Sequence, residues 1–462
     1  MTQPQEISIH SSASALPAAS RSQHRFSVQI AGTLAARLLM AGASVVAGVI
    51  VARWLGAEGL GTLAVINVAV ATVVQLGSVG LPSASTYFIS RDRSRLAATA
   101  VTSLGFAFIG GSALALATVA LAAWQPQVFS SIPLNLVTVA AISIPFQLVI
   151  LIALNIFLAV GDVQRFNLVD VSIQVFVLVN AVVALVLLGR GVETLITLNT
   201  AVTIAAALIV LLLILRLVKR HTERSTLRPG ASLLASMLRY GMKFHIGILA
   251  GALIVRADLL VVNHFRGTAE AGVYSVASQV ALLLMLLPGV IATLLFPRVT
   301  AEQDASGDTT SLVARHTALV MFSICLLAAP AGFILPWLYG NAFFDVPIQL
   351  LILLPGVFLI GLESVLVQHF NALGLPRAIP LFWVLTLLVN LVLVFVLVPR
   401  FGARGAAAAS TLSYLLIFFL VAVYFRAKTD RPFSDTFLPR GDELRSLFAL
   451  RNWTTPARSL RG

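Results

Sequence analysis

Residues 242–277 read MKFHIGILAGALIVRADLLVVNHFRGTAEAGVYSVA. An apolar run carrying Lys243, His245, Arg256 and Asp258 leads into the turn from His264 to Gly272, and a second apolar run follows at once. The first run is long enough to cross a bilayer as a helix. An ionisable group at bilayer depth costs about 2.5–3.5 kcal/mol on insertion scales, so it normally faces protein or water. The same outline occurs near the start of the chain. There an apolar run with Arg37 ends in Arg53-Trp54-Leu55-Gly56-Ala57-Glu58-Gly59-Leu60-Gly61, and another apolar run follows. Gly56 and Gly61 share their spacing with Gly267 and Gly272, 211 residues later. A membrane protein built twice over, with charges inside it, points to a transporter.

Composition excludes a soluble core. Of 462 residues, 59% are hydrophobic and only 11% charged, whereas soluble chains are about one quarter charged. Apolar runs of roughly 20 residues recur between short polar breaks. Alternating strands of about 10 residues, the mark of an outer-membrane barrel, do not appear. The single cysteine, Cys325, allows neither an internal disulfide nor a thiolate cluster. The net charge of +13 is scattered through loops and tails, which argues for membrane orientation and against a nucleic-acid partner. The polar stretch before the first apolar run is too long for the n-region of a cleavable signal, so that run is expected to be retained.

The runs predict an all-α membrane protein of about twelve transmembrane helices in two six-helix bundles. The expected N-terminal helices lie near 30–52, 60–88, 97–124, 136–160, 168–188 and 195–217; the C-terminal ones lie near 242–262, 273–296, 317–339, 348–370, 379–398 and 405–425. The predicted organisation is a disordered cytoplasmic segment 1–26, a bundle 27–217, a cytoplasmic linker 218–241, a second bundle 242–425 and a basic tail 426–462. A short interfacial helix is expected after Pro229-Gly230, and an amphipathic one over 443–453.

Alternate breaks are rich in Arg and Lys, as at Arg91, Arg93 and Arg95, then Lys219, Arg220, Arg224 and Arg228. The opposite breaks carry only Arg53, Arg190, Arg266, Arg400 and Arg404. The positive-inside rule therefore places both termini in the cytoplasm. A second echo, Asn155 to Gly161 with Arg165 against Phe370 to Gly374 with Arg377, supports a parallel repeat.

On the Met242 helix, Lys243, Gly247, Gly251, Ile254 and Asp258 share one face, with His245 and Arg256 on another. Small residues let helices approach, so the glycine face is expected to meet a helix or open a cleft. Arg256 and Asp258 lie on opposite sides of a regular helix and cannot pair, so each needs a separate partner. Lys243 sits at the cytoplasmic mouth, where snorkelling to headgroups is the plain alternative. Arg37 lies roughly 10 Å inside the first helix. Asp170 and Gln174, four apart, share a face, and Glu363 lies more than a turn inside the tenth helix. Asp258, Asp170 and Glu363 are candidates for holding a proton or sodium ion, although each singly could be a structural, hydrogen-bonded carboxylate. No phosphate loop ending in Lys-Ser/Thr, no His-Glu-x-x-His stretch and no Gly-x-Ser-x-Gly elbow is present, so neither a cofactor nor a metal is expected.

At these residues the chain resembles the oligosaccharide/polysaccharide flippase family of the multidrug/oligosaccharidyl-lipid/polysaccharide (MOP) exporter superfamily. The resemblance rests on Ala52 to Gly61, Arg239-Tyr240-Gly241, Asp258 to Val261, Ala271 to Ala277, and Leu373-Gly374 with Arg377. It covers about 30–425 and is specific to the superfamily more than to one substrate. It implies two six-helix bundles around a cavity open alternately to either side. It further implies export of an undecaprenyl-diphosphate-linked oligosaccharide to the periplasmic leaflet of a bacterial inner membrane, driven by an ion gradient. The implied partners are that lipid-linked cargo, membrane lipids, and the glycosyltransferases, polymerase and export proteins of surface polysaccharide biosynthesis.

Arg37 and Arg256 match the family's cationic cavity by type and depth, with Lys243 and Asp258 as further cavity residues. Gly56, Glu58, Gly61, Gly267 and Gly272 match its loop motifs. The chain departs from the fourteen-helix lipid II flippases in the count of helices, and from drug-exporting relatives in lacking an acid in the first helix. A drug exporter of the same superfamily and a major-facilitator transporter are the competing readings. A membrane-embedded glycan polymerase or ligase would need a large outer loop, and the outer breaks here are short.

Overall fold

A computed structural model describes residues 16–128, 132–221, 230–302, 304–374 and 376–438. Every regular element among them is helical. In order these are α1 (Leu16–Ser78), α2 (Leu81–Arg91), α3 (Leu96–Trp124), α4 (Leu134–Ala141), α5 (Ile144–Ala159), α6 (Val163–Ala181) and α7 (Val192–His221). Then come α8 (Ala231–Arg266), α9 (Thr268–Leu284), α10 (Leu286–Glu302), α11 (Asp308–Ala331), α12 (Leu335–Tyr339), α13 (Val346–Ala372), α14 (Ala378–Thr429) and α15 (Phe433–Phe437). The amphipathic helix expected over 443–453 lies outside the described residues.

Ten stretches among the described residues are long and apolar enough to cross a membrane, where the sequence predicts twelve helices. The difference lies in α1 and α14, each of which runs on through a turn that breaks the helix at one residue only, Gly56 and Gly402. Other boundaries also move. α1 begins at Leu16, inside the segment expected to be disordered. The expected helix 60–88 breaks at Gly80, and 136–160 breaks between α4 and α5. No separate interfacial helix precedes Met242: α8 is continuous from Ala231, because nothing between Ser232 and Tyr240 interrupts helical hydrogen bonding.

The outward faces are apolar. Ile109, Leu116 and Leu327 are each 70–74% exposed, a pattern that water does not tolerate over a whole surface and lipid does. The most enclosed crossings are α4–α5 in the N-terminal half and α13 in the C-terminal half.

The repeat read from the sequence recurs in backbone conformation. Gly56 (φ 68) and Gly267 (φ 85) are 211 residues apart; Gly161 (φ 82) and Gly374 (φ 107), and Gly189 (φ 58) and Gly402 (φ 57), are each 213 apart. All six lie in the left-handed region, where a side chain is strained.

The two halves meet backbone to backbone. A methyl group on Gly61 would lie 1.8 Å from the Thr268 carbonyl oxygen, and one on Gly272 would lie 2.0 Å from that of Ala57. Ala57 and Thr268 carry the same offset as Gly61 and Gly272, so the contact is reciprocal. Just past the end of α1, at the cap of α2, Gly80 meets Gly241 of α8, 2.4 Å from an added methyl to the carbonyl. These contacts sit roughly 25–30 Å apart along the chain's helical path.

Three of the arginines on the Arg- and Lys-poor breaks are held by protein. Arg53 donates to the carbonyls of Leu338 (2.8 Å) and Trp337 at the end of α12. Arg266 donates to the carbonyls of Pro399 (3.0 Å) and Val398, and Arg404 pairs with Asp345 at 2.9 Å.

Gly61→Ala and Gly272→Ala are each expected to lower stability by about 1–3 kcal/mol, because the methyl has nowhere to go. Gly105→Ala, on a face with open space around it, should be neutral or gain about 0.5–1 kcal/mol. Thermal unfolding in detergent, followed by the reactivity of Cys325, measures both.

Candidate functional site

The faces of α8 separate two jobs. Methyl groups on Gly247 and Gly251 would lie 3.4 Å from Pro380 and from the Trp383 ring. The glycine face therefore packs on the first limb of α14, and no cleft opens there. The opposite side carries Arg256, which turns into a hollow between the two halves.

That hollow has two adjoining chambers, about 390 and 640 Å³, whose walls share Asn67, Gln174, Asn199 and Arg256. It is bounded by both limbs of α1, from Ser44 to Val51 on the first and from Leu60 to Gln75 on the second. Arg256 is the one cationic side chain on either wall. Among the described residues it is exposed and forms no hydrogen bond or ion pair with protein. A guanidinium presenting a rigid fork of donors in a polar hollow is suited to a phosphate or carboxylate.

Asp170 and Gln174 do share a face, and both line the larger chamber. Asp170 is paired with Arg37 at 3.2 Å. Arg37 itself is 42% exposed, lies over the Phe166 ring at 5.8 Å, and lines neither chamber. The two expected arginines are thus placed differently: Arg256 faces the hollow, while Arg37 stands behind Asp170 at its rim.

Asp258 is buried, 2% exposed, and lies on the wall of the smaller chamber, where it forms no ion pair with Arg256. Its carboxylate accepts hydrogen bonds from Ser410 Oγ (2.9 Å), the Leu259 amide (2.8 Å) and the Tyr274 hydroxyl. It therefore knots α8, α9 and the second limb of α14 together, with Asn390 donating to Ser413 (3.0 Å) one turn further along. Glu363 is 3% exposed on α13, away from both chambers, and its Oε1 has no partner among the described residues. Lys243 is exposed near the start of α8 and lines neither chamber. Glu58 is exposed on the outer turn. No group of three or more His, Cys, Asp and Glu side chains among the described residues is spaced to hold a metal ion.

Other polar groups of the site went unread in the sequence. Gln279 donates to Ser44 (2.7 Å), joining the halves across the smaller chamber, and Asn199, on the wall of both chambers, accepts from Asn180 (2.9 Å). Glu270, inside the stretch that organises the chain, accepts from the Ala403 amide at 2.7 Å. An acid beside Gly267 and Gly272 was the available signal for it. Nothing local signals Ser410 as a partner of Asp258.

The helices are arranged as in several solved membrane transporters. One similar structure is an inward-facing MATE family multidrug resistance transporter of the MOP superfamily, with a TM-score of 0.71 and 15% identity over 87% of this chain and 98% of that one. Another is the lipid II flippase MurJ in an inward closed conformation, with a TM-score of 0.69 and 15% identity over 93% and 94%. A major-facilitator arrangement is not what the helices adopt. The sequence narrows the class: residues 50–346 match the polysaccharide biosynthesis protein family, and the chain belongs to it. Among curated relatives, "Probable flippase AglR" of Haloferax volcanii is 30% identical over 203 residues, which is 42% of this chain and 41% of that protein. The match thus takes in less than half the length of that relative.

Ser410→Ala and Tyr274→Phe each remove one donor from a buried carboxylate, and each is expected to cost about 1–3 kcal/mol. Unfolding midpoints in detergent test this, and unchanged midpoints in both variants would mean the carboxylate does not depend on these hydroxyls.

Proposed function

We propose that this protein is a flippase. It moves a polyprenyl-diphosphate-linked oligosaccharide from the cytoplasmic to the periplasmic leaflet of a bacterial inner membrane, for surface polysaccharide biosynthesis. The observation that carries the reading is Arg256, a guanidinium without a protein partner in the hollow between two repeated halves. A diphosphate cannot cross hydrocarbon unaided, and a cation in a polar hollow that lacks a counter-ion lowers that barrier. The amide-lined walls, Asn67, Gln174 and Asn199 among them, suit the hydroxyls of a sugar. The family and the relatives' names support the same cargo class.

In this reading each of the two helical stretches broken at glycine crosses the membrane twice, and both termini are cytoplasmic. Arg37 meets the headgroup at the rim by exchanging Asp170 for phosphate, and Arg256 holds it further in. Each half moves about the glycine contacts, so that the hollow opens to one side at a time. Asp258, with its three donors, is where a proton or sodium ion couples to that movement. Glu363 is a second carboxylate available to the ion. Glycosyltransferases make the cargo on one side, and polymerase or export proteins take it on the other. A cationic drug is a poorer fit, because the unpaired charge on the cavity wall is itself positive.

Arg256→Ala should lower surface glycan by roughly tenfold or more, the worth of one charge-assisted hydrogen bond, with protein level unchanged. Arg37→Ala should do the same, and Arg256→Lys should keep part of the activity because it retains charge and loses the fork. Glycan immunoblots of cells carrying each variant test the assignment, and normal display in both alanine variants would refute it. Asp258→Asn should remove the dependence of transport on an imposed ion gradient in reconstituted vesicles.

A further inference from the structure

A lipid-linked diphosphate brings a second problem besides its charge. Its headgroup can enter a polar hollow, but its isoprenoid tail gains nothing by leaving hydrocarbon. The tail needs an apolar path that runs beside the headgroup and stays open to the bilayer.

One groove meets that requirement. Between α6 and α7 lies an apolar cleft of about 310 Å³, with Leu168 and Phe176 on one wall, Ile209 and Leu213 on the other, and the small side chains of Ala205 and Ala206 leaving it room. It is open outward: Leu168, Phe176 and Ile209 are 52–67% exposed on the lipid side. It also abuts the polar hollow. Ile173 lines both the groove and the larger chamber, and the neighbours Val202 and Thr203 face the groove and the chamber respectively. One turn before Ile173 on α6 stands Asp170, paired with Arg37. Charge and hydrocarbon are therefore separated by the thickness of one side chain. The groove runs from mid-helix toward the ends of α6 and α7 that carry Arg165, Lys219 and Arg220.

We infer that the α6–α7 groove holds the first isoprene units of the cargo's polyprenyl tail, while the diphosphate lies across Ile173 in the chamber that Arg256 and Asp170 line. This rests on the flippase reading. It makes Ile173 and Ala206 determinants of a prenyl tail as against other lipid anchors. The continuity of the groove with a chamber holding an unpaired cation sets it apart from an annular lipid site, which needs no charged neighbour.

The test uses the full chain in vesicles of phosphatidylethanolamine and phosphatidylglycerol, with a diazirine-bearing geranylgeranyl diphosphate as probe and the labelled peptides mapped by mass spectrometry. The expected label falls on α6 and α7 around Phe176 and Ile209. Undecaprenyl diphosphate should reduce it about tenfold, and added phosphatidylglycerol should not. Ala206→Phe, which fills the groove, should reduce it by a similar factor, and Leu208→Phe, exposed on α7 outside the lining, should leave it unchanged. Label spread evenly over the lipid-facing helices, or displaced equally by phosphatidylglycerol, would overturn the inference. Label protected by undecaprenyl diphosphate but located on other helices would overturn the groove alone and leave the flippase reading standing. No protection at any site would overturn both.

Discussion

Two helices begin against each other at Gly61 and Gly272, each with its missing side chain under the other's carbonyl. This reciprocal contact constrains everything that lies between the halves. Helix backbones can come this close only where no Cβ intervenes, and a second such place, Gly80 on Gly241, lies just past the other end of the same limb. Between two points of near-touching, the helices must part, and the hollow containing Arg256 is the space left over. The hydrocarbon around them enforces the rest. With every backbone group committed to helices, polar chemistry can only come from side chains that face this interior.

The charges then sort themselves by what accepts them. Arg53, Arg266 and Arg404 are fixed by carbonyls or a carboxylate. Arg37 has Asp170, and Asp258 has hydroxyls and an amide. Arg256 is left unmatched in the hollow, and that exception gives the structure its functional direction. An ion within the membrane-spanning helices that has no protein counterpart is tolerated where a ligand or water completes it.

Much of this was legible in the chain. Two of the duplicated glycine turns were visible because left-handed backbone restricts a position to glycine, and the backbone adds a third pair, Gly189 with Gly402, at nearly the same offset. The sharing of one face by Asp170 and Gln174 followed from four-residue spacing. Tertiary partners were not legible. Ser410 reaches Asp258 from 152 residues away, and Arg37 meets Asp170 across two helices. Depth along a helix suggested Arg37 as a cavity residue, yet depth alone does not say whether a side chain lines a chamber or stands behind its wall. Helix ends were misplaced where a single glycine suffices to turn the chain, as at Gly56, or where no breaker exists at all, as before Met242.

The turn joining α8 to α9 grips α14 on both sides of its break. Arg266 holds the carbonyls of Val398 and Pro399, where the incoming limb terminates, and Glu270 holds the Ala403 amide, where the outgoing limb starts. A cation thus meets the negative pole of one limb and an anion the positive pole of the next. Gly402, folded at φ 57 against the Glu270 carboxylate, leaves no gap for play between them. That corner behaves as a riveted joint: a displacement felt by Arg256 on α8 is handed to α14 as leverage and is not absorbed as bending.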